Sequence, residues 1–179
     1  IGTAGRLSTE KGIDLFVEAV ARLRERGIPA VGTIAGNGPQ LNSWKQLVRT
    51  KKLDDTVLFL DFVNDMRAFF SALDVFVSCS KTESFGLAIA EAMACQRPVV
   101  GTPTAGARRQ IDHQVTGWQL RTYSPTELTD TLCTLYRDPM LSEKIGRCAW
   151  SWAQEHSSID LTLKSILEIL DGNEGIPSG

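Results

Sequence analysis

An α/β fold, with a parallel sheet covered by helices on both faces, is predicted by three features of this 179-residue sequence. Short apolar runs alternate with longer stretches of helical periodicity. The runs are apolar throughout, as expected of strands buried on both faces. The composition is that of an ordinary globular domain, 42% hydrophobic and 22% charged, with no internal repeat and no low-complexity segment.

The elements follow in order. Ile1–Leu7 reads as a strand followed by a loop, and Glu10–Arg26 as a helix with Ile13, Phe16, Val17, Val20 and Leu23 on one side, stopping at Gly27. Ala30–Ala35 is a strand closed by Gly36-Asn37-Gly38-Pro39. Gln40–Lys51 is a helix, Val57–Leu60 a strand, Asp65–Ala72 a short helix and Val75–Ser78 a strand. A helix runs from Phe85 or Gly86 to Cys95, followed by a strand at Pro98–Gly101 and another within Val115–Leu120. The next helix ends at Arg137 and opens on Ser124-Pro125, a good N-cap before a proline suited to the first helical position. Glu127 then completes a predicted capping box. Helices over Leu141–Gln154 and Ser158–Leu170 come last, so residues 1–171 form one predicted domain and 172–179 a loose tail. The opening residues look like a strand entered part-way, and the chain reads as a fragment of a longer protein.

Composition excludes several classes. The formal charge is −2 and the cations are scattered, so neither a nucleic-acid surface nor a membrane-binding face is expected. Lys51-Lys52 and Arg108-Arg109 read as solvated surface. Cys79, Cys95, Cys133 and Cys148 form no C-x-x-C pair, and with two histidines they suggest neither zinc nor a disulfide framework. A reducing cytoplasm fits them best.

In doubly wound sheets, ligands bind where strands end and helices begin, so the loops after strands are the places to search. Gly5-Arg6-Leu7-Ser8-Thr9-Glu10-Lys11-Gly12 offers two cations. Ser8 or Thr9 can cap the following helix. Lys11 in its first turn would oppose the helix dipole, a placement that makes sense if an anion such as a diphosphate also sits there. A surface Lys11, with Arg6 paired to Glu10, is the equal alternative. Gly36-Asn37-Gly38-Pro39 resembles half of a dinucleotide fingerprint, but Leu41 takes the third glycine position. A tight turn is the simpler reading.

The third loop is the most informative. Between Phe85 and Cys95, Glu91 is the only ionisable side chain apart from the thiol. A helix apolar all round is normally buried, and a carboxylate there needs partners. The diol of a nucleotide ribose would serve, as would an ion pair with Arg6. Glu83 precedes it in the loop, and both carboxylates can face one cleft. The backbone N–H groups of Ser84 to Leu87 would crown the helix N-terminus, a ready anion site.

These pieces together resemble glycosyltransferase family 4 (group 1), in the C-terminal donor-binding domain of the glycosyltransferase-B fold, a Rossmann-like architecture. The likeness runs over roughly Gly5 to Leu120: Gly5-Arg6-Leu7 with Glu10-Lys11-Gly12, Ala35-Gly36-Asn37-Gly38-Pro39, Asp74–Ser78, Glu83-Ser84-Phe85-Gly86-Leu87 with Glu91-Ala92-Met93-Ala94, Pro98-Val99-Val100, and Thr116-Gly117. It implies a retaining transferase using a nucleoside diphosphate sugar, with no bound metal or other cofactor. Arg6 and Lys11 would hold the diphosphate, Glu91 the ribose and Glu83 the sugar. Phe85, Gly86 and Leu87 would lie near sugar and phosphate, Phe62 and Val63 near the base, with Gly5, Gly38 and Ser84 completing the donor site. The acceptor site would lie in a missing N-terminal domain, through which the protein could associate peripherally with a membrane. Ala105-Gly106-Ala107-Arg108-Arg109 departs from the family pattern, placing Arg109 where an acid is common. A non-catalytic nucleotide-sugar-binding module is therefore a second reading, and a sugar-nucleotide epimerase of related fold a third.

Overall fold

The computed structural model describes residues 1–156. The predicted helix over 158–170 and the tail over 172–179 lie outside them.

A single parallel sheet organises the chain. Its strands are β1 (Gly2–Ala4), β2 (Gly32–Ala35), β3 (Val57–Phe59), β4 (Phe76–Ser78), β5 (Val99–Gly101) and β6 (Trp118–Gln119), in the order β3-β2-β1-β4-β5-β6. Every pairing is parallel. This is the dinucleotide-fold order, in which the chain winds outward from β1 in one direction and from β4 in the other. The predicted strands are each present and shorter. The last is cut to two residues because Gln114 N donates to Gly117 O at 2.7 Å, folding Val115 and Thr116 into a turn.

Helices cover both faces. On one side α1 (Ile13–Glu25), α2 (Leu41–Thr50) and α6 (Pro125–Arg137) share a core containing Phe16, Leu23 and Leu128. On the other, α3 (Met66–Ser71), α4 (Leu87–Ala94), α5 (Ala105–Gln110) and α7 (Pro139–His156) enclose Phe70, Phe76, Ile89 and Met93. Phe70 meets Phe76 edge-on with centroids 5.2 Å apart. Cys79 and Cys133 are buried, and the four cysteines are unpaired. Among the described residues no helix is long and apolar enough to cross a membrane.

Three local expectations are corrected. The first long helix starts at Ile13 and not at Glu10: Thr9–Lys11 forms a separate 3-10 turn, and the chain then turns left-handed at Gly12 (φ 62°). Ser8 flanks that turn without capping it through its side chain, and Gly12 takes the N-cap place of α1, so neither Ser8 nor Thr9 caps the helix. The helix α5 falls in a stretch read as loop. It has six residues, one of them glycine, and no apolar period. Its anchor is the Thr104 hydroxyl, which accepts from Ala107 N at 3.3 Å.

The predicted capping box of α6 is half formed. Ser124 Oγ accepts from Glu127 N at 3.3 Å. The Glu127 carboxylate reaches past Ser124 to accept from Arg121 N at 2.8 Å and Thr122 N at 3.1 Å, tying the loop after β6 to the helix. Burial pushes this carboxyl up, but the hydrogen bonds from Arg121 and Thr122 outweigh it and hold it below its usual range. A depressed folded-state pKa stabilises the fold above the unfolded value, and that contribution is lost as pH falls through the folded one. Glu127→Ala should therefore cost about 1–3 kcal/mol at pH 7, by urea unfolding. The gap between wild type and variant should close as pH drops below the ordinary carboxylate range.

Candidate functional site

The carboxyl ends of β1, β2, β3 and β4 open onto one cleft of about 890 Å³. Loops from opposite halves of the sheet form its walls. Gly5, Arg6 and Lys11 come from the β1 loop, and Gly36 and Asn37 from the β2 loop. Phe62, Val63 and Asn64 follow β3. Glu83, Ser84, Phe85 and Gly86 follow β4 and lead into Leu87, Ala88 and Glu91 of α4.

Eleven of the twelve residues singled out from the sequence meet here: Gly5, Arg6, Lys11, Phe62, Val63, Glu83, Ser84, Phe85, Gly86, Leu87 and Glu91. Gly38 is the twelfth, and it is not among the lining residues. A Cβ at Gly38 would lie 2.6 Å from Leu7 N and from Leu7 O. Its glycine lets the β2 loop press against the β1 loop, which is the tight-turn role. Arg109 does not line the cleft either. It is exposed on α5.

Lys11 and Glu83 were expected to hold different groups, and they hold each other. Lys11 Nζ donates to Glu83 Oε2 at 2.6 Å, with both side chains largely shielded. The pair bridges loops 72 positions apart in the chain. Behind it, Lys81 N donates to Glu10 O at 2.7 Å, and Asp14 receives the Tyr123 hydroxyl at 3.0 Å and Lys81 Nζ at 3.6 Å. Burial and then the Asp14 charge push the Tyr123 phenol far up, so it stays protonated and donating.

Arg6 is exposed, and among the described residues it enters no ion pair. Neither alternative for it, a pair with Glu10 or with Glu91, is formed. Among the described residues the cleft therefore carries two positive and two negative charges, with Lys11 and Glu83 neutralising each other and Arg6 the cation outside any ion pair.

The helix α4 is not buried all round. Ile89, Ala90, Ala92 and Met93 face the core, while Leu87 and Glu91, one turn apart, are exposed to the cleft. Glu91 thus sits on an apolar wall with water on one side. Partial desolvation raises its carboxyl pKa, and among the described residues no compensating charge reverses it. At the head of the helix Gly86 is left-handed (φ 86°, ψ 56°), a conformation that L side chains rarely adopt. Among the described residues the amides of Ser84, Phe85, Gly86 and Leu87 have no protein acceptor. No group of three or more His, Cys, Asp or Glu residues is placed to hold a metal among the described residues.

Asn37 and Asn64 also line the cleft and were not singled out. Their signal was present, since both lie in loops that follow strands.

Comparison with known proteins agrees with this architecture. A family model described as glycosyl transferases group 1 matches residues 1–138. A D-inositol 3-phosphate glycosyltransferase of Pseudarthrobacter chlorophenolicus is 34% identical over 183 residues, covering 96% of this chain and 43% of that protein. The crystal structure of Anabaena Alr3699/HepE in complex with UDP superposes with a TM-score of 0.89 at 26% identity, over 96% of this chain and 48% of the other. The C-terminal domain of a group 1 glycosyl transferase, LpcC, from Francisella tularensis superposes at 0.78 with 26% identity, over 88% and 86%. The chain thus spans less than half the length of the first two proteins.

The Lys11–Glu83 pair generates a stability prediction. Removing one partner strands a shielded charge, whereas removing both does not. Lys11→Met alone should destabilise by about 1–2 kcal/mol, between the values for exposed and buried pairs. Adding Glu83→Gln should recover part of that loss in a double-mutant cycle followed by urea unfolding.

Proposed function

The chain belongs to the group 1 glycosyl transferases, and on that premise we propose that it is the donor-binding domain of a retaining enzyme that uses a nucleoside diphosphate sugar. The observation that carries this reading is one cleft holding, among the described residues, an arginine outside any ion pair, a lysine paired with a glutamate, a row of amides without protein acceptors at a helix head and a carboxylate further along that helix. That Alr3699/HepE, which shares this fold, was crystallised in complex with UDP supports a nucleotide ligand.

Each part of the donor then has a partner. The base lies by Phe62 and Val63. The ribose hydroxyls donate to Glu91, and a favourable partner offsets the partial desolvation of that carboxylate. The diphosphate meets Arg6 and the amides of Gly86 and Leu87. It draws Lys11 from Glu83, and Glu83 is released to accept hydrogen bonds from the sugar. In transfer, the bond from the anomeric carbon to the phosphate oxygen breaks. A bond to the acceptor oxygen forms on the same face, and the acceptor's hydroxyl proton passes to the departing diphosphate oxygen. Negative charge grows on the departing diphosphate, where two cations and fixed amide dipoles stabilise it most. These groups do the work a metal would otherwise do, so the domain needs none. Neither glutamate is assigned as nucleophile or base. The acceptor and the remaining catalytic groups belong to a second domain, and this chain alone binds donor but transfers slowly or not at all. Arg109 lies off the cleft, which removes the main support for a non-catalytic module.

Titration with UDP, GDP and ADP, each beside its free nucleoside, tests this reading. At least one diphosphate should bind. Arg6→Ala combined with Lys11→Ala should weaken that diphosphate by about 100-fold or more and leave the nucleoside unchanged, since each charged hydrogen bond is worth about 1.5–3 kcal/mol. Glu91→Gln should weaken diphosphate and nucleoside alike, by about tenfold, while leaving the unliganded protein at least as stable at pH 7. Undiminished diphosphate binding by the double variant would rule the assignment out.

A further inference from the structure

We infer that Gln110 is a positioning residue for the diphosphate: it orients the peptides that present the Gly86 and Leu87 amides to the cleft. The inference rests on the donor-site reading above and concerns a residue outside the cleft lining.

Gln110 closes the short helix α5 and is 2% exposed. Its Nε2 donates to Phe85 O and, at 3.3 Å, to Gly86 O. Both neighbours are carbonyl oxygens, so the amide nitrogen and not the amide oxygen must face them. Four residues earlier on the same helix, Gly106 N donates to Glu83 O at 2.8 Å. One helix therefore holds three carbonyls of the segment 83–86.

The consequence follows from peptide geometry. In a trans peptide the C=O and N–H point to opposite sides of the chain. With the Phe85 carbonyl drawn toward Gln110, the Gly86 N–H turns the other way, and the Gly86 carbonyl, held jointly by Gln110 and by Ile89 N at 2.9 Å and Ala90 N at 3.3 Å of α4, turns the Leu87 N–H likewise. Both residues line the cleft, and both amides lack a protein acceptor among the described residues.

Packing alone does not account for a glutamine here. Gln110 Oε1 is buried without a partner among the described residues, a cost that an apolar side chain of similar length would avoid. The bonds from Nε2 offset that cost, so the amide adds little net stability and its worth lies in orienting the two peptides.

Gln110→Met and Gln110→Glu in the full chain separate the two roles. UDP, GDP, ADP and their nucleosides serve as probes, beside thermal unfolding. Gln110→Met should melt close to wild type, because relief at Oε1 offsets the hydrogen bonds lost at Phe85 O and Gly86 O, yet bind the accepted diphosphate about tenfold more weakly, as expected when hydrogen bonds to a charged group loosen. Nucleoside affinity should not change. Gln110→Glu places a carboxylate against two carbonyl oxygens and should lose as much or more at neutral pH. Relative to wild type at each pH, its diphosphate affinity should recover as the introduced carboxyl is protonated and can donate. If the methionine variant does not fold, the glutamate variant and its pH profile carry the same comparison. Diphosphate binding equal to wild type in the variants would overturn the inference, as would equal loss of diphosphate and nucleoside. A wild-type chain that binds none of the diphosphates would overturn the donor reading as well, whereas a wild type that binds beside unaffected variants removes only the role of Gln110.

Discussion

The strands β1 and β4 pair through a single register position, Gly2 with Phe76, whereas β1 and β2 pair through three. Beyond that position their loops diverge, because the chain winds away from β1 on one side of the sheet and from β4 on the other. A crevice at this junction is a consequence of the winding, not of any side chain. The Lys11–Glu83 ion pair spans it and joins the two halves at their closest functional point. The rest of the site is arranged around that gap: cations and turn residues on the β1 side, amides and carboxylates on the β4 side.

The helix α4 shows what the arrangement costs. Its inner face supplies Ile89, Ala92 and Met93 to the core, and its outer face leaves Leu87 and Glu91 toward water. Neither exposed residue is placed to stabilise the unliganded domain. The partly desolvated carboxylate beside an exposed leucine suits the proposed donor, which carries apolar surface and hydroxyl groups together. The left-handed Gly86 adds a backbone conformation that needs support from its surroundings, and α5 provides that support through Gly106 and Gln110.

Most of the fold was legible because the relevant signals are local. Apolar runs marked each strand. Ser124-Pro125 marked the start of α6, with its Oγ hydrogen bond in place. What was misread depended on single residues that override a pattern. Gly12 cuts the periodicity of the first helix, and six residues without an apolar stripe at 105–110 hid a helix whose stability comes from its neighbours. Glu127 was matched to a capping motif, but a carboxylate beside two free loop amides bonds to those instead.

The sequence by itself determined the strand succession, the α-helices among the described residues apart from α5, the loops worth searching and eleven of the lining residues, since residue type and spacing act over a few positions. The tertiary structure alone decided the strand order, the pairing of Lys11 with Glu83, the exposure of Glu91, the demotion of Gly38 to a packing contact and the grip of Gln110 on the Phe85–Gly86 segment. Each of these is a contact between segments distant in the chain. Such contacts depend on how the layers dock, and no local spacing encodes that distance.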